Sequence, residues 1–278
     1  MRKARILCLH GYAQNGQFFR IRTGSGRKAC KAVAEFEFLD GTFPATAHFV
    51  GQRPDGEEER GNTLGWWNME NTSERATTST RYVGVEETLA QVREHIHTHG
   101  PYDGILGFSQ GASLAALLCL EPPRVPHFKF AVMVAGFVPN DPRYSAWCDP
   151  SSPIAIPSMH IYGATDERVP PAASMRLSSC FEAPQGHSWD GGHAVPSTAA
   201  FRKALRSFIA DQGFGPQAAA GSGGSGSASG GGGGSGARAV VPTSKVAAAT
   251  EATAGGCSYV DRFYAWRVQR GPADRVGV

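Results

Sequence analysis

The chain has 278 residues, 41% of them hydrophobic and 18% charged, with a formal net charge of +3. That length accommodates one large α/β domain or two small ones, and so small a charge, spread along the chain, makes no case for nucleic acid or an anionic membrane as partner. No run of about 18 apolar residues occurs, so no membrane span is expected.

The opening MRKARILCLHG is basic but places only about four apolar residues before His10 and Gly11, too few for a signal-peptide core; a cytoplasmic protein is expected. Cysteine usage agrees. Cys8, Cys30, Cys119, Cys148, Cys180 and Cys257 form no CxxC pair, and Cys8 and Cys119 sit inside apolar runs, so buried free thiols are the expectation.

In chain order, Arg5 to Leu9 reads as a short buried strand. It runs into LHGYAQNG, where the chain must turn sharply after His10 and Gly11. TGSGRK (Thr23 to Lys28) lacks the spacing and ending of a phosphate loop and reads as a helix entry. A second strand covers Phe36 to Leu39. The long connection after it carries Phe43, Trp66 and Trp67, read either as ordinary core or as walls of an apolar acyl pocket. It also holds the sequon Asn71-Thr72-Ser73, which has no consequence without secretion.

Val85, Leu89, Val92 and Ile96 recur on one helical face. The HIHTHG run ends that helix, and His95 and His99 lie one turn apart, but no third ligand completes a metal set; histidines there suit the helix dipole. No metal and no cofactor are expected.

The sharpest motif is GFSQG (Gly107 to Gly111), lying between the apolar strand Gly104 to Phe108 and an Ala/Leu-rich helix. A serine on a tight strand-to-helix turn is forced into a strained conformation that exposes its hydroxyl, and the helix behind it directs backbone N–H groups towards developing negative charge. Ser109 is the candidate nucleophile. Its oxyanion donors are expected to be the backbone N–H of Gln110 and, from the loop after the first strand, that of Tyr12, with Ala13 beside it as a further candidate.

Phe130 to Ala135 and Met159 to Tyr162 read as further strands, and the Pro-rich stretch from Gly136 to Pro157 as a small cap. A serine hydroxyl needs a histidine base and a carboxylate to fix that ring's tautomer, in the chain order Ser, acid, His. Asp166 follows a strand and is the candidate acid, ahead of Glu167 and Asp190. His193, in the Gly-rich loop WDGGHAVP, is the candidate base, ahead of His187; His160 lies within a strand pattern. Phe201, Leu205, Phe208 and Ile209 mark a last amphipathic helix.

Strands alternating with helices predict an α/β fold with a mainly parallel sheet, helices on both faces and ligands at the carboxyl ends of the strands. The catalytic domain is expected to span residues 1–214. Residues 215–278 are expected to be a flexible Gly/Ser linker (Gly221 to Gly236) and a tail. Its aromatic cluster, Tyr259, Phe263, Tyr264 and Trp266, is either a docking peptide or a weakly structured terminus.

Over about residues 3–210 the chain resembles the FSH-type serine hydrolases of the α/β-hydrolase superfamily. The resemblance rests on LHGYAQNG, GWWNMENTSE leading to YVGVEETLAQV, GFSQGASLAALL, HIYGATDERVP and GGHAVP. It implies that Ser109, Asp166 and His193 are catalytic, and that a carboxylic ester or thioester of an acyl substrate is hydrolysed without metal or cofactor. Acyl transfer at the same site and a non-catalytic binding role are the alternatives. The segment CFEAPQGHSWDGGH, where the last strand should fall, is short of apolar residues, and the Gly/Ser tail lies outside the family pattern.

Overall fold

The computed structural model describes residues 2–46, 62–71, 74–75, 77–122 and 128–215. The linker, the aromatic tail, Cys257 and two residues of the sequon, Thr72 and Ser73, lie outside the described residues.

Strand β1 (Ala4–Leu9) shows how the sheet is built. Its side chains alternate, so Ile6 and Cys8 enter one apolar cluster and Leu7 and Leu9 enter another, as a two-residue period requires when both faces of a strand are covered. After β1 come α1 (Gly16–Arg22), α2 (Gly24–Ala29) and β2 (Ala34–Leu39). The TGSGRK segment is thus a helix, with Thr23 as its N-cap.

Four two-residue strands follow, forming two small antiparallel pairs: β3 (Phe43–Pro44) with β4 (Leu64–Gly65), and β5 (Asn68–Met69) with β6 (Tyr82–Val83). The main architecture resumes with α3 (Val85–His99), β7 (Gly104–Phe108), α4 (Gln110–Leu120) and β8 (Phe130–Val134). It closes with α5 (Pro142–Ser145), β9 (Ser158–Gly163), α6 (Pro171–Ser178), β10 (Gln185–Trp189) and α7 (Ala199–Asp211).

Six strands form one parallel sheet in the order β10-β9-β8-β7-β1-β2. On one face, Val85, Leu89 and Val92 of α3 and Ala112 and Leu114–Leu120 of α4 pack against Leu7, Leu9 and Met133. On the other, Phe19 of α1 and Phe201, Leu205, Phe208 and Ile209 of α7 pack against Ile6, Cys8, Phe130 and Val132. Every residue of α4 is buried, the condition under which a helix is apolar all round instead of striped. Strand β10 is present where apolar residues are scarce. It is an edge strand, and Gln185, Gly186 and Ser188 are exposed.

The cysteine expectation needs correction. Cys8, Cys30 and Cys119 are free and buried, as expected, but Cys148 and Cys180 form a disulfide. Their Cα atoms lie 5.3 Å apart, within the range a bridge requires. Backbone pairing brings them together: the Ile154 N–H donates to the Cys180 carbonyl at 3.0 Å and the Glu182 N–H to that of Ile154 at 2.9 Å.

Opposite the carboxyl edge, buried Asp103 gathers the two terminal guanidinium nitrogens of Arg2, the Arg5 N–H at 3.0 Å and the Lys129 ammonium at 3.2 Å. Burial would raise its pKa, but these donors outweigh burial and hold it below the usual carboxylate range. The folded state therefore gains stability from the ionised form above about pH 4 and loses it as pH falls through the depressed value. Asp103→Asn should lower the Tm at neutral pH, with the gap to wild type closing in acid; thermal melts across pH 3–7 check this, and a pH-independent gap would contradict it.

Candidate active site

The nucleophile turn is set by backbone crowding. Between β7 and α4, Ser109 adopts φ 53° and ψ −118°, a left-handed conformation that costs energy in any residue but glycine. Its N–H donates to the Val134 carbonyl at 2.8 Å, and its own carbonyl accepts from Ala112 and Ser113 N–H at 3.0 and 3.1 Å. The flanking glycines are obligatory. A Cβ at Gly107 would stand 2.2 Å from the Gly111 carbonyl oxygen, and one at Gly111 would stand 2.3 Å from that of Leu9.

Two loops at the same carboxyl edge supply the other groups. Asp166 leaves β9 and His193 follows β10, and the loops are tied by the Ala164 N–H to the Trp189 carbonyl at 2.9 Å and the Thr165 N–H to that of Gly191 at 3.1 Å. Asp166 Oδ1 accepts from the Arg168 and Val169 N–H groups, each at 2.9 Å. Its Oδ2 lies 2.8 Å from His193 Nδ1, and His193 Nε2 lies 3.0 Å from Ser109 Oγ. The Asp166 side chain is fully buried, whereas that of His193 is 15% exposed. Burial pushes the Asp166 pKa up, but His193 and the two N–H donors more than compensate, and the carboxyl sits below its ordinary value.

An ionised Asp166 accepts a hydrogen bond from Nδ1–H, which leaves Nε2 as an acceptor for the serine hydroxyl. The Phe108 ring, 4.9 Å from the imidazole centroid, backs the histidine.

The competing residues lie elsewhere. Glu167 and Asp190 are exposed. His187 is on the edge strand, its ring 6.1 Å from that of Phe201. His160 is buried in β9 with Nε2 3.1 Å from Ser158 Oγ, and burial lowers its pKa to about 3. His95 stacks on His99 at 4.4 Å and approaches Tyr102 OH at 2.9 Å and Glu37 Oε1 at 3.2 Å. Among the described residues no group of three His, Cys, Asp or Glu side chains is placed to hold a metal ion.

Gln110 begins α4 directly behind Ser109. Its side chain is buried and turned away from solvent, accepting from the Trp66 N–H and donating to the Trp67 carbonyl. The loop after β1, with Tyr12 in it, passes over the same turn: a Cβ at Gly111 would also lie 2.4 Å from the His10 carbonyl oxygen.

Of the two readings of the tryptophans, burial favours the first. Trp66 and Trp67 have no exposed surface, so neither indole walls a cavity large enough for water, let alone an acyl chain; both are core. Phe43 is half-buried, its ring packed where a Cβ on Gly84 (φ 93°) would fall. The sequence reading missed the Arg168 and Val169 N–H donors to Asp166, which carry no side-chain signal. It also missed the polar grip on the Trp66–Trp67 backbone, for which GWWN was the available hint.

Residues 1–205 match the serine hydrolase (FSH1) family. Esterase OVCA2 of Bos taurus is 38% identical over 220 residues, covering 74% of this chain and 95% of the relative. Esterase C25G4.2 of Caenorhabditis elegans is 38% identical over 221 residues, covering 76% and 94%. Among solved structures, YahD with malic acid superposes with a TM-score of 0.54 at 12% identity over 76% of this chain and 94% of that one. A carboxylesterase from Mesorhizobium loti superposes with a TM-score of 0.51 at 18% identity, covering 76% and 90%. At those identities the structures speak for the fold, whereas the family match and the curated esterases speak for descent. The chain belongs to the FSH1 serine hydrolase family and is an enzyme of the α/β-hydrolase fold.

Proposed function

We propose that the protein hydrolyses carboxylic ester or thioester bonds of small acyl substrates through an acyl-enzyme on Ser109. The observation that carries this reading is the unbroken hydrogen-bonded chain Asp166–His193–Ser109, with links of 2.8 and 3.0 Å. His193 takes the hydroxyl proton as Oγ bonds to the acyl carbon, and the carbonyl oxygen gains charge against the Tyr12 and Gln110 N–H groups. Asp166 stabilises the imidazolium. His193 then passes the proton to the departing alcohol or thiol. Water, deprotonated by the same ring, attacks the acyl carbon; the bond to Oγ then breaks as His193 returns the proton to it, freeing the acid and Ser109. The esterase names of the relatives agree with this chemistry.

A fluorophosphonate probe followed by peptide mapping should place the label on Ser109, and a panel of p-nitrophenyl and thioester substrates should be turned over. Labelling at another serine, or a panel left intact, would remove the assignment. The activity is assigned to residues 1–214. A chain ending after Gly215 should keep full turnover and an unchanged Tm; loss of either would extend the working unit beyond that point.

A further inference from the structure

We propose that the segment Gly65–Asn68 braces the oxyanion hole, gripping the side chains of both residues whose backbone N–H groups form it. The proposal rests on the Ser109 hydrolase reading above. On that reading the hole draws its donors from separate elements, Tyr12 from the loop after β1 and Gln110 from the first turn of α4. Neither element by itself fixes the distance between them, and electrostatic stabilisation depends on donors held in place before charge develops.

A third element reaches both. The buried Gln110 amide is used at each end on the brace, Oε1 accepting from the Trp66 N–H at 2.9 Å and Nε2 donating to the Trp67 carbonyl at 2.8 Å. Tyr12 OH donates to Asn68 Oδ1 at 2.6 Å and accepts from the Thr46 N–H at 2.9 Å, while Asn68 Nδ2 is anchored on the Pro44 carbonyl at 3.0 Å. Gly65 is the point where the two grips meet. A Cβ there would stand 2.7 Å from Tyr12 Cδ2 and 3.3 Å from Gln110 Oε1.

The Tyr12 loop is held at its ends by the same segment and its neighbour. Trp66 Nε1 donates to the His10 carbonyl at 2.8 Å, and the Leu64 N–H donates to that of Gln14 at 2.7 Å. The brace itself is fastened to α3, where Thr88 Oγ1 donates to the Trp66 carbonyl. Pure core filling would need only the two indole faces. Here polar side chains from both donor residues converge on one short segment, Gln110 on its backbone and Tyr12 on the Asn68 side chain. That assigns the Gln110 amide, Tyr12 OH and Asn68 as positioning residues, distinct from the N–H groups that would touch the substrate oxygen.

The test uses p-nitrophenyl butyrate turnover and an aryl trifluoromethyl ketone, whose carbonyl carbon bonds to Ser109 Oγ while the proton passes to His193 and the oxygen becomes an oxyanion. Tyr12→Phe and Gln110→Met should each lower kcat by up to about 10²-fold, the effect expected of donors displaced by an ångström, with KM little changed. Affinity for the ketone should fall by the same factor. Asn68→Ala should also lower kcat, and the double variant should lose less than the product of the two single losses, because both substitutions remove the Tyr12–Asn68 bond.

Wild-type kcat in both variants, or a kcat loss without a matching loss of ketone affinity, overturns the brace. Should Gln110→Met fail to fold, the Tyr12–Asn68 cycle decides alone. Turnover surviving in Ser109→Ala would defeat the hydrolase reading instead. An inert Ser109→Ala beside unaffected Tyr12→Phe and Gln110→Met would defeat only the brace.

Discussion

Ser109→Ala should reduce kcat by about 10⁶, to the level of contaminating activity, the scale of loss seen when a triad nucleophile is removed. The reason is local. The hydroxyl contacts His193 Nε2 at 3.0 Å, whereas the backbone bonds that fix the turn, to Val134, Ala112 and Ser113, do not involve it. The elbow should therefore keep its shape and the Tm should hold. Fluorophosphonate labelling should disappear together with turnover. A variant that still turns over ester after contamination is excluded, or still takes the label, would place the nucleophile elsewhere.

Asp166→Asn should lower kcat by about 10⁴ with substrate affinity largely intact. Asparagine can keep its Oδ1 on the Arg168 and Val169 N–H groups, now at 2.9 Å, and so preserve the turn. Its amide nitrogen then faces His193 Nδ1, which can no longer donate and must accept. The ring is driven into the other tautomer, Nε2 carries the proton, and the base is lost without the fold being disturbed. Asp190→Asn and Glu167→Gln should change little, since both side chains are exposed while Asp166 occupies Nδ1. Measuring all three on one ester makes the comparison internal. A crippling Asp190→Asn beside a mild Asp166→Asn would reverse the assignment.

Much of this arrangement was legible because its causes are local. Strands buried on both faces must be apolar nearly throughout, and β1, β7, β8 and β9 follow from that pattern; β2, at the other edge of the sheet, follows from the short run Phe36 to Leu39. The amphipathic periods of α3 and α7 followed from Val85, Leu89, Val92 and Ile96 and from Phe201, Leu205, Phe208 and Ile209. Ser109 stood out because a strand, two glycines and an apolar helix converge on it.

What escaped depends on long-range pairing or on backbone. Strand β10 shows little apolar pattern because, as an edge strand, it leaves Gln185, Gly186 and Ser188 to solvent. The pairs β3–β4 and β5–β6 are two residues deep, too short for any period to register. Cys148 and Cys180 are 32 positions apart and meet only once Ile154 and Phe181 form their bridge. Trp66 and Trp67 show that large aromatics in a long connection do not by themselves distinguish a pocket from a core.

The positive φ of Ser109 also bears on how such a site diversifies. A branch at Cβ is poorly tolerated in that region of backbone space, so a threonine there would add a crowded methyl to a turn already under strain. Sulfur in place of oxygen adds no branch. Lineages built on this elbow are therefore free to exchange serine for cysteine, while the threonine route to a nucleophile, open to enzymes that carry it on relaxed backbone, is closed to them by geometry before any chemistry is tried.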